Sequence, residues 1–277
     1  MRSVKLIEQW PVDHAAMSVV GADGTVVGDY GDQQRVFPLA SVTKLLTAYT
    51  TLIAIEEGVF ELDTPAGPEG ATVRDLLAHT SGLAFSQHKV MAEPRNRRLY
   101  SSVGFEQLAD ALTEAAGIEF ARYQQEALLT PLAMTATRLN GSPGADAEST
   151  VDDLSRFAAE LQRPTLLDPS TLAEATTVVN PGLNGVLPGF GHQKPNDWGL
   201  GFEIRDGKSP HWTGSASSPR TFGHFGQSGT FLWVDPDAGL ACVALTDRDF
   251  GPWAAEAWPE FTDAVLADHG VTAATSP

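Results

Sequence analysis

Residues 41–57 read SVTKLLTAYTTLIAIEE, a run whose apolar side chains lie nearly all round a helix and which stops at Gly58. A helix without a polar face must be covered on every side, so the rest of the chain has to supply packing layers around it. With 277 residues, 42% of them hydrophobic, there is enough chain to bury such a core in one body or two closely joined ones. The same helix carries Lys44, and a buried lysine usually has a task.

The flanking periodicities say what the layers are. Residues 16–20 and 25–27 alternate as strands on either side of Ala22-Asp23-Gly24, the signature of a β-hairpin. The middle of the chain is helical. Thr72 with Asp75 in TVRD, and Thr150 with Asp153 in TVDD, have capping-box spacing ahead of amphipathic runs. Residues 105–116 and 119–129 carry helical periodicity broken by Gly117 and Pro131, and Asp168-Pro169 opens one more short helix. From about residue 195 the period returns to strands at 201–205, 230–234 and 240–246, with Pro236-Asp237-Ala238-Gly239 as a turn. A last helix is predicted over 259–269, and VTAATSP reads as a frayed tail. The order predicts an α+β fold, an α/β sandwich in which residues 1–58 and 195–277 build one mainly antiparallel sheet flanked by helices. Residues 59–194 form an inserted all-helical subdomain, the two making one catalytic unit with its site at the seam.

Charge narrows the partners. The 18 Lys and Arg against 35 Asp and Glu leave a net −17, which repels a phosphate backbone and an anionic membrane surface and biases mildly against highly anionic substrates. Nucleic acid and membrane are therefore not expected as partners; a small molecule is. The start MRSVKLIEQWPVD lacks the apolar core of a secretory signal, and no run approaches about 20 apolar residues, so a cytoplasmic location is expected. The single Cys242, in GLACVALTD, reads as a buried strand thiol. The seven His show no H-x-H or H-E-x-x-H pattern, so neither metal nor cofactor is expected.

Three elements could carry chemistry. Ser41-Val42-Thr43-Lys44 is an S-x-x-K pattern, in which residues i and i+3 share a helix face and the lysine amine can reach the serine hydroxyl. Burial and a positive helix end lower a lysine pKa, so a neutral amine can accept the serine proton. Tyr100-Ser101-Ser102 precedes the helix near Phe105, where Ser102 also suits an N-cap and Tyr100 a packing role. Gly223-His224-Phe225-Gly226-Gln227-Ser228-Gly229-Thr230 leads into the strand FLWVD, either as a flexible turn or as an edge that another molecule can approach closely. Thr230 stands where a G-x-S-x-G elbow would need glycine.

Together with FPLASVTKLL, TVRDLLAHTSGL, WGLGFEI and GHFGQSGTFLWVDPDAG, these elements resemble, in order, the class C β-lactamase-related serine hydrolases, a family of β-lactamases, D-alanyl-D-alanine peptidases and esterases. The resemblance runs from about residue 37 to 247 and implies the β-lactamase and penicillin-binding-protein fold. It implies Ser41 as the acylated nucleophile, Lys44 as its proton acceptor and Tyr100 as the proton shuttle. The backbone N–H groups of Ser41 and Gln227 would form the oxyanion hole, and Ser102, His224, Phe225 and Gly226 would bind substrate. His79 and Thr80 in HTSG match a helix end capped by Gly82. The S-D-N and E-x-x-L-N elements of class A enzymes do not appear.

Three departures from the family pattern bear on substrate. Ser102 stands where an asparagine is usual, and His224 and Phe225 where lysine and threonine commonly grip a carboxylate. The step from Ser41 to Tyr100 is also short for the family, which implies an open pocket. An esterase is therefore expected ahead of a β-lactamase or D-alanyl-D-alanine carboxypeptidase. A non-turnover, penicillin-binding or sensor-like protein is the third reading.

Overall fold

The computed structural model describes residues 1–271; of the tail read as frayed, all but Val271 lies outside the described residues. In chain order the first half contains α1 (Arg2–Ile7), β1 (Ala15–Gly21), β2 (Val26–Tyr30), β3 (Phe37–Pro38), α2 (Thr43–Glu56), α3 (Val73–Leu77), α4 (Ser102–Ala116), α5 (Phe120–Gln124) and β4 (Arg138–Leu139). The second half contains β5 (Ala147–Ser149), α6 (Val151–Gln162), α7 (Pro169–Ala175), β6 (Gly185–Leu187), β7 (Gly191–Gln193), β8 (Glu203–Ile204), β9 (Phe222–Gly226), β10 (Thr230–Asp235), β11 (Leu240–Thr246) and α8 (Pro252–Asp268).

Both chain ends contribute to one antiparallel sheet of order β2-β1-β11-β10-β9-β8, so the fold is α+β. Apart from the largely exposed edge strand β2, its two faces are both buried, and the strand period of two divides them. Leu232, Val234, Ala241, Val243 and Leu245 join α2 and α6 in one core. Phe231, Trp233, Cys242 and Ala244 point the other way, to Trp258, Phe261 and Val265 of α8. Helix α6 lies directly on the sheet, where Ser155 Oγ meets Ser18 Oγ of β1 at 2.5 Å. Cys242 is buried as expected, and burial pushes its thiol pKa up.

Helix α2 is the centre of the larger core, with every residue from Thr43 to Ala54 buried. Several boundaries differ from the sequence expectation. The last helix starts at Pro252 rather than near 259: Pro252 takes the first turn, where a missing N–H costs nothing, and Pro259 sits inside the helix. The stretch over 119–129 is two pieces, α5 and a widened π turn at 125–129. Only half of the second capping box forms. Thr150 Oγ1 accepts from the Asp153 N–H at 3.1 Å, while the Asp153 carboxylate accepts instead from Ala136 N–H and the Thr137 hydroxyl. Helix α1 is not among the expected elements, and the stretch 59–194 is not all-helical, since it holds β4 and β5, which form a small sheet with β3, and the β6–β7 hairpin. Helix α1 is too short to show a period and is held by Asp268, which accepts from Arg2 N–H, Ser3 N–H and the Ser3 hydroxyl. No described helix is long and apolar enough to cross a membrane.

Candidate active site

Ser41 lies in a 3-10 turn, Ala40–Val42, directly ahead of α2. The residue before it, Ala40, has φ of 45°, a left-handed conformation that costs a non-glycine residue of order 1 kcal/mol and tends to occur at functional sites. Gly226 at the end of β9 abuts the Leu39 carbonyl so closely that a Cβ would collide with it. This close approach seats the Ser41 turn beside the end of β9.

Lys44 is fully buried in the first turn of α2. Its Nζ lies 2.7 Å from the Gly144 carbonyl, 3.0 Å from Ser102 Oγ and 3.4 Å from Ser41 Oγ. Burial pulls the amine pKa down from 10.5 to about 7, against the opposing pull of the Glu106 charge. The amine therefore exists in both forms near neutrality. The same nitrogen lies 4.6 Å from the centre of the Tyr100 ring.

Tyr100 and His224 complete the cluster. The Phe225 carbonyl can only accept, so His224 Nδ1, 2.6 Å away, carries the proton, and Nε2 is left to accept from the Tyr100 hydroxyl at 3.3 Å. Burial, with the Lys44 charge, lowers the His224 pKa to about 3, which keeps the ring neutral. Burial raises the Tyr100 phenol pKa, and the adjacent Ser41 hydroxyl draws it down. Tyr100 is thus a hydrogen-bonding phenol rather than a phenolate.

The alternation of β9 sorts the glycine-rich segment. His224 faces the site with Tyr100. Phe225 turns to the opposite core, where its ring centre lies 4.9 Å from that of Phe250 and 5.9 Å from that of Trp258, though it still forms part of the cavity wall. Gln227 is fixed by a pair of bonds with Phe250, whose N–H donates to the Gln227 carbonyl at 2.7 Å while Gln227 Nε2 donates back at 3.2 Å. Ser41, Tyr100, His224, Phe225 and Gln227 all line one cavity of about 90 Å3, and Ser102 does not. Ser102 sits behind Lys44, and the N-cap of α4 is its neighbour Ser101, which accepts from Gly104 N–H at 2.9 Å. Freed from capping, the Ser102 hydroxyl is available to the lysine.

His79 and Thr80 do close a helix end, yet His79 does more than the HTSG pattern suggests. With φ of 57° it follows the end of α3, its ring centre lies 4.7 Å from that of Tyr100 with the planes tilted by 50°, its carbonyl accepts from Leu99 N–H at 2.9 Å, and its Nδ1 accepts from Ser101 N–H at 3.2 Å. It brackets the tyrosine segment from both sides. Burial holds its pKa well below the ordinary value, so it is neutral.

Other wall residues had no assigned role in the sequence reading. Trp198, Glu203, Phe85, Leu187 and Pro188 share the cavity, the first two from the WGLGFEI stretch. Glu203 is buried and accepts from Lys208 Nζ, from His211 Nε2 at 3.0 Å and from Trp212 Nε1 at 3.0 Å. Burial opposes its ionisation, but Lys208 and His211 prevail and bring its pKa below the ordinary range. Breaking one side of a buried ion pair leaves the other charge without compensation. Lys208→Met is accordingly expected to lower the unfolding free energy by about 3–5 kcal/mol in urea denaturation; a loss under about 1 kcal/mol would mean that water already solvates Glu203. Among the described residues no group of three or more His, Cys, Asp or Glu side chains is arranged to hold a metal ion.

A family model described as Beta-lactamase matches residues 14–267. The D-alanyl-D-alanine-carboxypeptidase/endopeptidase AmpH of Escherichia coli strain K12 is 26% identical over 175 residues, which take in 46% of this chain and 46% of that one. The chain therefore spans less than half the length of that relative. A crystal structure of a β-lactamase from Mycobacterium bovis is 56% identical, superposes with a TM-score of 0.95, and is covered to 99% by 96% of this chain. EstCE1, a hydrolase with promiscuous acyltransferase activity, shares the fold at a TM-score of 0.75 and 18% identity, over 95% of this chain and 96% of its own.

Proposed function

We propose, from the premise that this chain belongs to the Beta-lactamase family, that it hydrolyses small-molecule esters through an acyl intermediate on Ser41. The observation that carries the reading is the environment of Lys44. A neutral amine has two N–H donors and one lone pair. The Gly144 carbonyl and Ser102 Oγ take the two donors at 2.7 and 3.0 Å, which leaves the lone pair for the Ser41 hydroxyl. Lys44 is in this way oriented as a proton acceptor, and its pKa of about 7 leaves much of it neutral at physiological pH.

In the first step Ser41 Oγ attacks the ester carbonyl and its proton passes to Lys44. The developing oxyanion is placed between the backbone N–H groups of Ser41 and Gln227, a type of arrangement worth several kcal/mol in the transition state. Collapse expels the alcohol, which takes a proton relayed from Lys44 by way of the Tyr100 hydroxyl. Water then attacks the acyl-serine with the same groups acting in reverse. His224 supports the relay as a neutral acceptor for Tyr100, and His79 holds the tyrosine segment in position.

Esters are favoured over β-lactams because the side chains near Ser41 offer no fixed cation for a carboxylate adjacent to the scissile bond. His224 is neutral, Phe225 is apolar and turned into the second core, the Lys44 amine is occupied, and Lys208 is paired with Glu203. The second reading, β-lactamase or D-alanyl-D-alanine carboxypeptidase, draws support from the 56% identity to the Mycobacterium bovis protein and from the peptidase relative. A panel of p-nitrophenyl esters, nitrocefin and D-alanyl-D-alanine peptides separates them. The expected result is kcat/KM for the best ester at least about 100-fold above that for nitrocefin, with an acyl adduct seen by intact mass. The reverse order would favour the second reading, and an adduct that never turns over would favour a slowly acylating binding protein.

A further inference from the structure

The chain is strongly acidic, at −17, yet the largest cleft beside the site gathers cations. It encloses about 740 Å3 between segments 83–99 and 182–194, and it shares Phe85, Tyr100 and Pro188 with the cavity that holds Ser41. The two spaces therefore adjoin across common walls. Arg97, Arg98 and Lys194 line the cleft, and no Asp or Glu does. Arg98 is buried, its guanidinium donates only to the carbonyls of Ala78, Val179 and Asn180, and its Nε has no partner. Its charge is not cancelled by a bonded carboxylate. Arg97 and Lys194 are exposed, and Arg97 reaches the Met91 carbonyl at 3.4 Å.

Asn96, Asn184 and His192 also line the cleft, but most of the other side chains along it are apolar, and several are unusually exposed for apolar groups. Phe85, Met91 and Val186 stand 56%, 48% and 49% exposed along it. Exposed large apolar side chains gathered in one place mark a binding surface. Their combination with cations that bond no carboxylate fits a ligand that is apolar along its length and negative at one end. The surrounding acidity sharpens the selection, because the net −17 repels an anion in general while this cleft is lined by three basic side chains and no acidic one.

We infer that this cleft receives the part of the substrate remote from the scissile bond, and that this part is an aliphatic chain ending in a carboxylate, as in a monoester of a dicarboxylic acid. The inference rests on the esterase reading and adds its substrate class. It also reconciles two features: the missing carboxylate grip next to Ser41 and the cationic lining farther out. The recognised anion belongs several methylenes from the ester carbon rather than adjacent to it.

A matched pair of esters tests this, monomethyl suberate against dimethyl suberate, which differ at the far end by one charge. The expected ratio of kcat/KM, monoester over diester, is about tenfold at low ionic strength, shrinking in about 0.5 M NaCl as screening grows. In the double variant Arg97→Gln/Lys194→Gln the ratio is expected to fall by about threefold to tenfold. The control Lys5→Gln/Arg122→Gln, which removes the same net charge elsewhere, is expected to keep the wild-type ratio. A ratio of one or less in the wild type, or one unmoved by the cleft variant, would overturn the proposal. Calorimetric binding of the two esters to Ser41→Ala protein gives a separate reading. Absence of hydrolysis of both esters would count against the esterase function, while a binding preference for the monoester lost in the cleft variant would still support the cleft.

Discussion

Ser41→Ala protein is expected to turn over p-nitrophenyl esters at least about 10⁴-fold more slowly than wild type in kcat, and to show no acyl adduct by intact mass. The size of the effect follows from the proposed chemistry. Without the hydroxyl there is no covalent intermediate, and neither Lys44 nor Tyr100 can substitute: the amine is enclosed by Gly144 and Ser102, and burial keeps the phenol protonated. What remains is binding and whatever the backbone N–H groups do for direct attack by water. The substitution removes one hydroxyl from a short turn whose geometry is set by Ala40 and by the packing of Gly226 on the Leu39 carbonyl. The unfolding midpoint should therefore stay within a degree or two, roughly, of wild type. Retained turnover at a tenth of the wild-type rate would remove Ser41 from the mechanism.

What the sequence disclosed and what it hid divide along a physical line. The Ser41–Lys44 pair was readable because helical spacing alone brings residues three apart together, and the burial of Lys44 followed from its apolar neighbours. The antiparallel sheet was readable in outline because its strands are rich in apolar and β-branched residues and bounded by turn residues. The remainder depends on contacts between distant parts of the chain. Tyr100 meets His224 across 124 positions and Ser102 meets Lys44 across 58. Nothing local records either bond, so the role of Tyr100 came only through resemblance and Ser102 was expected to face substrate. Glu203 lies on the strand expected over 201–205, but its partners Lys208, His211 and Trp212 follow in a stretch with no sustained period, so nothing local records their meeting. The boundary of α8 was misplaced because two prolines compete as its first residue, and Gly251-Pro252 prevails.

Lys44→Met should separate chemistry from stability in opposite directions. The proton acceptor is lost, so kcat for esters is expected to fall by about 10³-fold. The fold should tolerate the change, because a methionine of similar length replaces an amine whose ionised form is disfavoured inside the core. The pH dependence carries the more discriminating test. In the folded wild type the Lys44 pKa is about 7, against 10.5 for an ordinary lysine. Between these values the unfolded chain binds a proton at this site that the folded chain does not, so stability rises with pH across that window. Below about pH 7 both states are protonated and the cost is fully present; it amounts to several kcal/mol, since each tenfold change in proton affinity is worth about 1.4 kcal/mol. The variant lacks this rise, and the difference between the two stability curves should be largest in acid and vanish toward pH 10.5. Activity should mirror it, with wild-type kcat/KM increasing as pH approaches about 7 and levelling above, where Lys44 is neutral. Parallel wild-type and variant stability curves from pH 6 to 10 would mean that Lys44 titrates as an ordinary lysine. In that case the low kcat of Lys44→Met would reflect a lost positive charge rather than a lost base.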